Sequence, residues 1–219
     1  MKTTTTILLI IALFTGITSA QTQEQEKAKE ILDQLAKVTQ NYPSIDIEFN
    51  VHFHSMQSGY ENSSDGSLKM KGEKYLLDFM ETRSYFNGTT LWSYLKDVKE
   101  VNISEPTEDR DNLMANPKNL FTVYDKDYKM QYRGHMVDGD KYYEMVDLFP
   151  NDLDQEYSRI RLTIDTEDYS PAEIQLFQKD GSVYTVTINK YQTSQTFPDS
   201  LFVFPKEEYP EAEIIDLRW

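Results

Sequence analysis

The sequence predicts a mainly β protein, an incomplete, unclosed antiparallel β-barrel with a helical lid. Three observations predict it. Residues 45–54 alternate strictly between apolar and polar, the mark of a long strand with one wet face. Short β-type segments then recur along the chain, separated by turn signals such as Asn87-Gly88, Asp138-Gly139 and Asp180-Gly181. Only residues 24–41 and 105–126 carry helical signals, and a sheet of about ten strands needs such elements to cover its apolar face and its edges.

The chain is expected to open with an export signal. Lys2 supplies the positive start, Ile7 to Leu13 an apolar run, and Thr18-Ser19-Ala20 small residues for cleavage before Gln21. The run is too short to span a bilayer, which takes about 20 apolar residues. The chain has no cysteine, so it is expected to carry neither the acyl anchor of a lipoprotein nor a disulfide, a thiolate metal site or a catalytic thiol. The expected organisation is a signal peptide over 1–20 and one domain over 21–219, acting outside the cytoplasm.

Residues 24–41 read as an amphipathic helix, with Ala28, Ile31, Leu32 and Leu35 at i, i+3, i+4 and i+7. Pro43 ends it. In the first strand Ile45, Ile47, Phe49, Val51 and Phe53 share one face, opposite His52 and His54. Residues 58–66, rich in Gly, Asn, Ser and Asp, read as a loop before a second strand through Leu68 and Met70. A third strand is expected over 75–82, joined by the Asn87-Gly88 hairpin to one over 90–95 and then one over 98–103. Short helical turns are expected at 111–115 and 117–124, with Pro117 at a first helical position. Strands resume over 128–135, 141–148, 159–165, 172–178 and 184–191.

A formal net charge of −15 argues against nucleic acid and against adsorption to anionic headgroups. The motifs of the common nucleotide-binding, hydrolase and metalloprotease sites are absent. His52 and His54 make half of a metal site without a third ligand in sequence, and a solvated strand face accounts for them. Asp152, Asp154 and Glu156 lack EF-hand spacing. The Asn62, Asn87 and Asn102 sequons matter only in a eukaryotic secretory pathway. The expectation is a protein that is not an enzyme and holds no metal or cofactor. Aromatic content stands out: 15 Tyr, 11 Phe and 2 Trp in a chain of mean hydropathy −0.62. Two readings fit that content, an ordinary core or a cavity for a greasy ligand.

The run from Asn87 to Tyr94, Asn-Gly-Thr-Thr-Leu-Trp-Ser-Tyr, resembles the (D/N)-G-x-x-L-W-x-Y hairpin of the periplasmic outer-membrane lipoprotein carriers, the LolA family. The helix Ala28 to Leu35, the aromatics Phe49 and Phe53, Pro117–Leu120, and the ending Phe202-x-Phe204-Pro205 followed by Ile214 to Arg218 keep that family's order. The resemblance implies a monomeric periplasmic carrier that binds lipoprotein acyl chains in an apolar cavity. It implies as partners acylated lipoproteins, an inner-membrane lipoprotein-releasing ABC transporter, and an outer-membrane acceptor or the outer membrane itself. The cavity is expected to be lined by Phe49, Val51, Phe53, Leu68, Met70, Tyr75, Leu77, Phe79, Trp92, Tyr94, Ile160, Leu162 and Ile164. Ile31, Leu35, Leu113, Leu120 and Phe121 are expected on the lid, and Leu76 near the rim. Gly72-Glu73 stands where the family carries an Arg-Pro pair that touches the lid, so gating is expected to differ. A carrier of free lipid and a lipoprotein sensor on the same fold are the alternatives.

Overall fold

A computed structural model describes residues 5–105 and 127–218, with side chains from residue 22 onward. One helix, α1 (Thr5–Asn41), precedes β1 (Ile45–Ser55), β2 (Glu61–Lys71), β3 (Lys74–Phe79), β4 (Thr82–Phe86), β5 (Leu91–Leu95) and β6 (Glu100–Ser104). Then follow β7 (Tyr128–Asp138), β8 (Lys141–Pro150), β9 (Tyr157–Asp165), β10 (Pro171–Gln178), β11 (Ser182–Thr193) and β12 (Glu213–Asp216). The twelve strands of the described residues form one sheet in the order β12-β6-β5-β4-β3-β2-β1-β11-β10-β9-β8-β7. The two ends do not pair, so the sheet stays open as expected. Every pair is antiparallel except β6 with β12, which is parallel.

The sheet has two faces, each covered over a different half. On the inner face, Ala28, Ile31, Leu32 and Leu35 of α1 bury against Val146, Leu148, Ile160, Leu162 and Ile164. Burying each Leu or Ile stabilises the docked helix by about 1.5–3 kcal/mol. The helix also packs beside the edge strand β7, with Lys27 3.7 Å from Glu144. On the outer face, Tyr85, Tyr94 and Val101 pack with Phe204, Tyr209 and Ile214 of the C-terminal segment. A 3-10 turn at Asp199–Phe202 seats the fully buried Phe202 near β3 and β4.

Three sequence expectations change here. The polar stretch 61–66 is strand, because the long first strand pairs with it from His54–Glu61 to Phe49–Gly66. Backbone pairing overrides a loop-like composition. The expected strand over 75–82 is two strands, reversed at Met80, whose φ is 52°. The helix does not begin at residue 24 but runs from Thr5 through the expected cleavage junction. The helical turns expected at 111–115 and 117–124 lie outside the described residues.

Candidate functional site

The middle of the inner face is covered by neither α1 nor the C-terminal segment. There β1, β2, β3, β9, β10 and β11 enclose a cavity of about 410 Å³. Strand register explains how six strands contribute to one lining. Phe49 pairs with Ile188, Val51 with Val186 and Phe53 with Tyr184. Val186 and Tyr184 pair in turn with Ile174 and Leu176, and Leu176 with Ile160. On the other side Ile47 pairs with Leu68 and Leu68 with Leu77. Period-two alternation keeps all of these on one face.

Burial along β1 shows which end opens. Ile45 and Ile47 are 4% and 2% exposed and Phe49 is 8%, whereas Val51 and Phe53 are half-buried. The closed end holds Met70 and Tyr75, where burial pushes the Tyr75 hydroxyl up to about 12, so it stays neutral. The open end is ringed by turns. Met80 between β3 and β4 and Tyr184 at the start of β11 line the cavity and are exposed. Met56 and Tyr60 of the β1–β2 turn are exposed beside them, with Tyr60 6.1 Å from Phe53 between ring centroids. Polar lining is confined to Asn62, Ser64 and Gln178, and among the described residues no charged side chain lines the cavity.

One contact shapes the middle. Phe49 and Phe79 flank Gly66 in register, with ring centroids 5.7 Å apart. A Cβ at Gly66 would stand 2.5 Å from Cε2 of Phe49 and 3.0 Å from Cδ2 of Phe79. Only glycine lets the Phe49 ring lie down over β2 and leave the space above it free.

Seven of the residues expected in the cavity meet there: Phe49, Val51, Phe53, Leu68, Leu77, Phe79 and Ile160. Met70 and Tyr75 share their face but belong to the packed core below. Leu162 and Ile164 share it too and lie under α1. Trp92 and Tyr94 do not share it. The hairpin after β4 pairs Phe86 with Leu91 and Tyr85 with Trp92, which puts Trp92 and Tyr94 on the outer face with Tyr85. Leu76 joins that outer cluster rather than a rim. Ile31 and Leu35 are buried in the core beside the cavity and do not line it. Leu113, Leu120 and Phe121 lie outside the described residues. Gly72-Glu73 forms the two-residue β2–β3 turn, with Gly72 at φ 58°.

The lining residues not anticipated are chiefly Ile174, Leu176, Tyr184, Val186 and Ile188. Their alternation is visible in sequence, but only the β1–β11 pairing brings them opposite Phe49 and Phe53. The two histidines of β1 lie on the outer face, with Nε2 of His52 and His54 at 3.9 and 3.7 Å from Glu61. Among the described residues no group of three or more His or acidic side chains is arranged to hold a metal ion. What the cavity can do chemically is remove an apolar chain from water.

The family described as outer membrane lipoprotein carrier protein LolA matches residues 18–181. No curated protein sequence matches the chain. Among solved structures, an uncharacterised conserved protein from Thermus thermophilus aligns at 12% identity and a TM-score of 0.60, covering 87% of this chain and 99% of that one. This likeness is one of fold. A putative outer membrane lipoprotein-sorting protein domain from Vibrio parahaemolyticus aligns at 12% identity and 0.47, covering 82% and 97%. A LolA superfamily protein from Nitrosomonas europaea aligns at 14% identity and 0.43, covering 80% and 97%. No helix among the described residues is long and apolar enough to cross a membrane.

Proposed function

This chain belongs to the LolA family of outer membrane lipoprotein carriers, and from that premise we propose that it carries acyl chains in the cavity between β1–β3 and β9–β11. The observation that supports this most is the lining: an apolar space of about 410 Å³ with no charged side chain among the described residues that line it, and with burial along β1 that falls from Ile47 towards Phe53. Each buried CH₂ is worth about 0.8 kcal/mol, so a 16-carbon chain represents roughly 13 kcal/mol that water would otherwise oppose. A carrier recovers much of that energy and still releases its cargo to a better acceptor. In this reading residues 1–20 direct export and are removed, and the protein works in the periplasm as a monomer without catalysing a reaction. It receives lipoproteins from an inner-membrane ABC transporter and delivers them to an outer-membrane acceptor or to the membrane itself.

The cavity volume lies toward the low end of the range for ligand pockets, about 300–1,000 Å³, which favours a single chain at a time. That observation also supports the second reading, a carrier of free single-chain lipid. Native mass spectrometry of protein purified from the periplasm tests both. Co-purified acylated lipoprotein supports the first reading and free lipid the second. Protein that emerges empty and fails to take up a fatty-acid probe overturns both.

A further inference from the structure

On the outer face, away from the cavity, Asp147 of β8 is fully buried under three guanidiniums. Arg161 grips it with two bonds, Nε to Oδ1 at 2.7 Å and Nη2 to Oδ2 at 3.0 Å. Arg159 donates from Nη1 to Oδ2 at 3.2 Å, and Nε of Arg133 stands 3.3 Å from Oδ2. A bidentate pair with Arg161 already satisfies the geometry of one carboxylate. The other two arginines leave the cluster with a surplus of two positive charges, in a chain whose formal net charge is −15.

Both extra arginines are held in place by devices of their own. Arg133 is the extra residue of a β-bulge between Tyr132 and Gly134, and Gly134 takes φ 100° to allow it. Bulges of this kind re-aim a side chain. Arg159 lies over the Phe177 ring, its Cζ 3.8 Å from the centroid, which fixes the plane of the guanidinium. Among the described residues the guanidinium hydrogen bonds of Arg159 and Arg161 go only to Asp147, Arg133 forms an ion pair with the same carboxylate, and the three side chains remain 24–41% exposed. Glu173 on the neighbouring strand stands opposite Thr163 in register, and among the described residues the ion pair of Arg161 is to Asp147.

We infer that this cluster binds a phosphate group. The surplus of two charges matches a dianion, and donors converging from β7 and β9 match a group with three free acceptor oxygens better than a second carboxylate. Asp147 serves as the fixed pivot that holds the arginines together when the site is empty.

The test is calorimetric titration of the whole protein with inorganic phosphate at mildly alkaline pH, where the dianion dominates. Saturable binding with one phosphate per chain is expected, weakened about tenfold in the Arg133→Gln/Arg159→Gln double variant, which keeps the Arg161–Asp147 pair. A cavity variant, Phe53→Glu, should bind phosphate as the wild type does. Absent saturation, or affinity unchanged in the double variant, means an adventitious ion only and overturns the inference. If the double variant fails to fold, Arg133→Gln alone carries the same comparison, with an expected weakening of about threefold. Flotation with phosphatidylcholine vesicles, with and without phosphatidic acid, separates the sources. Arginine-dependent flotation with phosphatidic acid identifies a lipid headgroup, and phosphate binding without flotation identifies a free phosphate.

Discussion

The ring of Phe49 lies flat over Gly66, in the place where any other residue would put its Cβ. This contact makes the middle of the inner face a space instead of a core. Gly66→Ala should push the Phe49 ring into the cavity. The expected result is a loss of about 1–3 kcal/mol in denaturant unfolding, from overpacking. A fluorescent fatty-acid probe should bind about tenfold more weakly, equivalent to about 1.4 kcal/mol of lost contact.

Phe53 sits at the open end, half-buried and 4.8 Å from Tyr184 between ring centroids. A charge there can stay hydrated without the apolar chain and must be desolvated with it. Phe53→Glu should therefore weaken probe binding at least about tenfold while changing folding stability by about 1 kcal/mol or less. Competition binding and urea unfolding on the same preparation read both.

The C-terminal segment answers to a different face. Phe202 is fully buried and meets Phe197 edge-on at 6.2 Å. Phe202→Ala should cost about 3–5 kcal/mol by unfolding. Probe affinity of the folded fraction should stay at the wild-type value, because Phe202 does not line the cavity.

Acid should loosen that same segment. Lys74 and then Lys71 hold the Asp199 carboxyl down to about 2, below its ordinary value of 3.8, tying the β2–β3 hairpin to the turn that seats Phe202. A depressed folded pKa gives stability that is present above the unfolded value and lost as pH falls through the folded one. The stability difference between wild type and Asp199→Asn should be small, because the carboxyl is exposed. It should hold above about pH 5 and vanish between about pH 4 and pH 2. Guanidinium unfolding across that interval checks it.

Much of the site was legible as pattern. The alternation of residues 45–54 named the inner face of β1, and the same period gave Leu68, Leu77 and Phe79 their side. Legibility failed where a turn resets parity. Met80 reverses the chain at positive φ with no glycine or asparagine to announce it, so nothing local marks β4 as a separate strand. The face of Trp92 and Tyr94 then depended on a register set across that hidden hairpin, and a one-residue difference moves every side chain to the other face. Gly66 reads as a loop glycine, because nothing local distinguishes a glycine that makes a turn from one that makes room for a ring.

The sequence by itself determined that this protein is mainly β, that its long first strand has one apolar face, and that a helix with Ala28, Ile31, Leu32 and Leu35 must bury its apolar stripe against the sheet. Local periodicity encodes those facts, and they need no knowledge of distant partners. Only the tertiary structure decided which part of that face is core and which is cavity. That choice depends on β1 pairing with β11 across more than half of the chain, and on where α1 and the C-terminal segment come to rest. Leu162 and Val186 have the same character in sequence. One lies under the helix and the other faces open space, and the difference is made by what covers them.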